Sequence, residues 1–315
     1  MNLFESVRAL TAASGTGPID WEAATDAATA ATDPGSISLT EAEQEAYAAD
    51  VRAARAAVDA VTEADFELPA SIRIFDRHHW IEANVGTFER VMEPVETRAD
   101  RIPGIARTLN TGTMAVTLAF LGRNVLGQYD PVLLAEDSHE LYFVHPNIVD
   151  VADELDVPLA RFRRWIAFHE VTHAAEFGAA PWLPEYLESR LEEAVADLAD
   201  GKLDREAFGE LDTAMTAVEG YAELLMDEAF DRPHADLRNA LDRRRQNRGP
   251  IAGAIGRLLG LGLKRRQYER GKTFFEAVAA DRGVEGTGAV WERPANLPTD
   301  DELDTPTKWL DRVDP

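Results

Sequence analysis

The 315-residue sequence contains no cysteine. Disulfides are thereby excluded, and so is any metal site built on thiolates; a zinc ion would have to be held by His, Asp or Glu. Lysine is nearly missing too: Lys202, Lys264, Lys272 and Lys308 are the only lysines among 32 basic residues. No stretch reaches the ~18 consecutive apolar residues that a membrane span needs. The N-terminus, MNLFESVRAL, lacks a basic region followed by a long apolar run and carries no twin arginine. A soluble, cytoplasmic chain is the expectation.

What is abundant is negative charge. The chain has 57 Asp and Glu against 32 Lys and Arg, a net charge of −25 with histidine neutral. Such a surface repels phosphate backbones and anionic lipid heads, so neither nucleic acid nor membrane is expected as a partner. Acidity, scarce lysine and abundant alanine together resemble proteins of salt-loving archaea, whose surfaces stay hydrated when salt screens ordinary repulsion. Hydrophobic residues make up 45% of the chain, enough for a sizeable core. The sequence carries no signal for an oligomeric state.

The pattern predicts an α+β chain, mainly α. Residues 1–100 read as an alanine-rich helical region, with 101–315 as the main domain. Ser38-Leu39-Thr40-Glu41 is a capping signal opening a helix through about Val61. Further helices are predicted near 77–95, 109–126, 158–178, 182–199, 204–230, 251–260 and 264–281. Pro131–Ala135 and Leu141–His145 are short runs of strand formers, read as a β-hairpin ahead of the 158–178 helix. The tail from Gly283, with Pro294, Pro298 and Pro306, reads as extended and packed on the body.

The chemistry points to His169-Glu170-Val171-Thr172-His173. Residues i and i+4 share one helix face, so both imidazoles can converge on one ion. Glu170 lies about 100° around from His169, placed to flank the ion and hold a water as general base. The stripe Leu159, Phe162, Ile166, His169, His173 and Phe177 turns the histidines inward. A catalytic zinc takes three protein ligands and a water, so a third ligand must come from elsewhere. Position favours Glu219, in Val218-Glu219-Gly220-Tyr221-Ala222-Glu223; Glu176, Glu185, Glu188, Glu223, Asp227 and His234 compete. Glu223, on the same face as Glu219, could accept the outer N–H of a ligand histidine. Tyr221, His234, Tyr186 and Tyr268 are candidate donors to a developing oxyanion. His78 and His79 point about 100° apart on their helix, which makes joint ligation awkward.

EGYAE resembles the third-ligand motif of gluzincin aminopeptidases. More widely, HEVTHAAEFGAAPWL, VEGYAELLMD, LLGLGLKRRQYERGKTFFEAV, VWERPANLPTDDEL and GQYD resemble a family of zincin-like metallopeptidases of actinobacteria, chloroflexi and archaea, over about Ile81 to Leu310. Its members often carry a label tying them to deazaflavin-coenzyme biosynthesis. The resemblance implies a zincin-like fold with a small sheet before the metal helix, Zn2+ held by His169, His173 and Glu219, and Glu170 as base. It supplies no substrate, and three readings stand: a zinc-dependent peptidase, an amide hydrolase acting on a small metabolite, and a non-catalytic binding or regulatory protein that keeps the metal.

Overall fold

A computed structural model describes residues 17–62, 64–98, 104–130, 140–199, 205–231, 233–246 and 264–315. Two predicted elements, the strand at 131–135 and the helix at 251–260, lie outside these residues.

The N-terminal helices form where local capping dictates. Asp20 accepts from the Ala23 N–H at the start of α1 (Trp21–Ala30). Thr40 and Glu43 close a reciprocal capping box at the start of α2 (Glu41–Asp59). The buried apolar residues of α2, Tyr47, Val51, Ala54 and Val58, step by four, three and four, the spacing of one helix face. They pack on α6 (Leu159–Ala179). Two longer helices follow, α3 (Arg77–Arg98) and α4 (Gly104–Gly122), both against α1.

Three short strands make one sheet in the order β1-β3-β2, with β1 at Ile72–Phe75, β2 at Gly127–Asp130 and β3 at Glu140–Val144. β1 runs parallel to β3, and β2 antiparallel to it, with Tyr129 opposite Leu141. The antiparallel partner of β3 among the described residues is GQYD. The central strand is covered on both faces, which explains why Leu-Tyr-Phe-Val is a continuous apolar run. Alternation sends Leu141 and Phe143 into the main core and Tyr142 and Val144 into a second one with Phe75, Trp80, Ile81 and Leu118. The sheet and the main core both join residues from either side of position 100.

His145 begins a helix instead of ending a strand. Pro146 sits in the first turn of α5 (His145–Glu154), where its missing N–H costs nothing. The next helix, α6, is contacted by α2, α5, β2 and α8 (Arg205–Ala229). It is consequently buried on several faces, Glu170 and Glu176 included, rather than along the single predicted stripe. Two other helices flank these, α7 (Leu183–Ala199) and α9 (Ala235–Gln246).

The long helix α10 (Lys264–Thr287) lies along α8. Beyond it the tail is not extended. It folds into two 3-10 turns at Gly288–Trp291 and Pro294–Asn296, then α11 (Asp300–Asp304) and α12 (Pro306–Val313). Trp291 and Trp309 plug it into the core, and the Trp309 indole N–H donates to the Asn296 carbonyl at 2.7 Å. No helix among the described residues is long and apolar enough to cross a membrane.

Candidate metal centre

Two buried helices and one strand meet at the centre of the main core. α6 brings His169, Glu170 and His173; α8 brings Glu219 across from them; β2 lies over Glu170. Among the described residues, the one group of potential metal ligands is His169, His173 and Glu219, whose donor atoms all lie within 4.8 Å of one another. The i, i+4 spacing sets the two imidazole centroids 4.7 Å apart at 74°. Trp165, one turn earlier, stacks parallel on His169 at 5.9 Å and steadies that ring.

The donors fit zinc. They are two imidazole nitrogens and one carboxylate oxygen, the usual set for a catalytic ion with a position left open. Zinc with bonds of about 2.1 Å in a tetrahedron separates its ligand atoms by about 3.4 Å. Three carboxylates crowding one imidazole also suit a dication: burial acts to lower the His173 pKa, but the hydrogen bond to Glu176 and the charges of Glu219, Glu176 and Glu170 raise it, while burial raises the Glu176 carboxyl against it. A metal binding here would take the place of that extra proton.

Glu170 is not a member of the ligand group. Its Oε2 accepts the backbone N–H of Tyr129 at 2.9 Å, so the sheet edge holds it beside the histidines. β2 comes this close because residue 127 is glycine: a Cβ there would lie 2.7 Å from Glu170 Cγ and 2.8 Å from Oε1. From the other face of β2, Gln128 accepts from the Trp80 indole at 2.9 Å and donates to Asn84 at 3.0 Å. The strand is thus clamped between α3 and α6.

Glu219 is placed by its neighbour. A Cβ on Gly220 would lie 2.3 Å from the Gly271 carbonyl carbon, and one on Gly271 would lie 2.1 Å from the Thr216 carbonyl oxygen. The two glycines let α8 and α10 cross backbone to backbone, and that contact fixes the depth of Glu219. This is the physical content of a glycine following the candidate ligand.

The remaining candidates fall elsewhere. Glu223 is not the partner of a ligand histidine: it forms a salt bridge with Arg238, and burial, only partly offset by that cation, raises its pKa. The carboxylate under His173 is Glu176, fully buried, with Oε2 3.1 Å from Nδ1. Tyr221 packs against Phe275 and Trp291, and its hydroxyl meets Thr62 at 3.3 Å. His234 lines a cleft of roughly 430 Å³ at the start of α9, where its Nε2 meets Asp227 at 2.9 Å. That places Tyr221 and His234 in structural contacts outside the ligand group. Tyr186 lies edge-on to Trp182 and under Arg190; the Tyr268 side chain lies outside the described residues. Of the competing third ligands, Glu185 is exposed, and Asp227 is bound by His234, Arg238 and Lys272. His78 meets the Thr32 carbonyl and His79 meets Asp76, so they do not converge. Arg244 pairs with Glu154.

Two features were not singled out from the sequence. Glu176 stood there only as a rival ligand, although its i+3 spacing from His173 puts it on the same face. Gly127 carried no local signal, since its role depends on a long-range contact.

Comparison with known proteins agrees with this geometry. The chain matches the family described as zincin-like metallopeptidase over residues 19–202 and 194–310. Its structure is similar, with a TM-score of 0.80, to the crystal structure of a proposed hydrolase with a novel fold from Chloroflexus aurantiacus. The two share 34% sequence identity, over 94% of this chain and 99% of the other. No curated protein matches the sequence. With nearly the whole length matched, the chain belongs to the zincin-like metallopeptidase family.

Proposed function

We propose that this chain is a zinc-dependent hydrolase that cleaves peptide bonds, with His169, His173 and Glu219 as metal ligands and Glu170 as general base. The observation that carries the reading is the convergence of three donor atoms from two helices within 4.8 Å, with a second acid, Glu170, alongside but outside the group. Bound there, zinc would polarise a carbonyl and acidify a water toward a pKa of ~7.

The protein's own contribution is placement and proton transfer. Glu170 is buried on the α6 face next to the ligands, with Oε2 tied to Tyr129. That tether limits its rotamers and keeps the carboxylate beside the histidines. There Glu170 would take a proton from the attacking water as its oxygen bonds to the scissile carbonyl carbon, and would return it to the amine as the C–N bond breaks. A purely structural ion needs closed coordination and no such acid, so the Glu170 arrangement supports hydrolysis over simple metal storage.

A peptide would reach the site along the sheet. β3 is paired on both sides and cannot accept another strand, so a peptide adding to the sheet would do so at β2. Among the described residues this is an edge strand, and it borders Glu170 directly.

Replacement of Glu170 by Gln tests the reading. Zinc content should be unchanged, and hydrolysis of a peptide library should fall by roughly 10²–10⁴-fold. A parent enzyme that cleaves no member of the library, loaded with zinc and in high salt, would overturn the assignment.

A further inference from the structure

The geometry points to Glu176 as a positioning residue that fixes the ring orientation and tautomer of His173 from beneath, leaving Nε2 to face the metal. This rests on the zinc reading above and deepens it.

Glu176 follows His173 by three residues, so the two side chains stack on one face of α6. Its Oε2 meets His173 Nδ1 at 3.1 Å. An acceptor there holds the proton on Nδ1 and turns the lone pair of Nε2 outward, toward His169 and Glu219. A negative acceptor also makes the imidazole a stronger donor to a cation. No residue outside α6 is needed for this, so one helix supplies two ligands, the base and the carboxylate that orients a ligand; only Glu219 comes from elsewhere.

The carboxyl is badly placed if stability were its purpose. It is completely buried, and among the described residues its Oε1 has no hydrogen-bond partner. Its side-chain hydrogen bond is to His173. Burying a carboxyl that is half satisfied opposes folding, and an apolar side chain of similar size commonly does better. A group that weakens the fold yet sits under a candidate ligand is better explained by what it does to that ligand.

The test uses the full chain and zinc itself. Glu176→Gln keeps the volume and an acceptor oxygen but removes the charge; Glu176→Leu removes the acceptor as well. Zinc affinity is measured by competition with a chromophoric chelator, and melting is followed on metal-free protein. The expected result is zinc binding weakened about 10-fold in the Gln variant and about 100-fold in the Leu variant, with metal-free melting temperatures equal to or above the parent's. A residue that served only the fold would give the opposite pattern, a lower metal-free melting temperature with affinity intact, and that overturns the inference. Should the Leu variant fail to fold, the Gln variant decides alone: affinity equal to the parent's overturns it. A parent that binds no zinc at all overturns the metal assignment and this inference together, whereas a parent that binds while both variants bind equally well overturns Glu176 only.

Discussion

Replacing Gly220 by Ala is the sharpest structural test of how the third ligand is held. The new methyl would sit 2.3 Å from the Gly271 carbonyl carbon and 2.5 Å from its Cα. Carbon atoms in contact prefer about 3.5–4.0 Å, so the helices must separate by roughly 1.2 Å or more. The obstacle is backbone and cannot rotate away, which puts the cost near the upper end of overpacking, about 3 kcal/mol. Alanine recovers about 1 kcal/mol of helix propensity, leaving a net loss of about 2 kcal/mol. At roughly 2 °C per kcal/mol for a chain of this size, the metal-free protein should melt about 4 °C lower. Glu219 is the adjacent residue, and ligand positions tolerate only about 0.2 Å, so zinc affinity should fall by well over tenfold. Gly209 supplies the control. It lies on the same helix, is exposed, and a Cβ there meets nothing within 4 Å. Gly209→Ala should raise stability by up to about 1 kcal/mol and leave zinc alone. If Gly220→Ala behaves like Gly209→Ala in both melting and zinc titration, the close crossing does not exist and the account of Glu219 is wrong.

Other consequences follow from the same contacts. Gly127→Ala would push the Glu170 carboxylate off its perch, because the methyl lands 2.7 Å from Cγ and 2.8 Å from Oε1; a side-chain end can yield, so melting and zinc content should hold while turnover drops at least tenfold, and unchanged turnover would contradict the proposed base. Burial, opposed by hydrogen bonds from Thr62 and Thr287, pushes Tyr221 up to about 12, and burial also raises Tyr47, against about 10 in an unfolded chain. The stability held in those protons is complete below about pH 10 and is lost as pH rises through 12, up to about 3 kcal/mol for Tyr221. Tyrosinate absorbance should therefore rise in two stages, the later coinciding with unfolding; one smooth titration near pH 10 in folded protein would refute it. Arg238→Met strips the cation from Glu223, which is buried, and should destabilise the chain by about 2–4 kcal/mol, with Glu223→Gln in the same background recovering part of it. A neutral Arg238→Met in chemical denaturation would show that the pair is not buried in solution.

The helices were legible because their signals are local. The capping pair Thr40 and Glu43 marked the start of α2, and the three- and four-residue spacing in α6 and α8 marked their length. The spacing of His169 and His173 is itself a local property, so the ligand pair and Glu170 could be read directly. Elements defined by distant partners could not. β1 is four residues with Arg73 in the middle, and it is a strand because Leu141–Val144 lies beside it. Prolines misled in the tail: Pro294 and Pro306, read as marks of an extended segment, open short helices. Choosing between Glu176 and Glu223 as the carboxylate behind a histidine needed tertiary structure. Both are one helical turn from a candidate ligand, and only the fold shows that Arg238 claims Glu223.

The most direct measurement is X-ray absorption at the zinc edge on protein loaded with one equivalent of zinc, for the parent and for Glu219→Ala. The account predicts about one tightly held zinc with two imidazole nitrogens at about 2.0–2.1 Å and oxygens completing the shell, and loss of most of the metal in the variant. Zinc that does not bind stoichiometrically, or a shell that keeps its affinity and its ligands without Glu219, would contradict it.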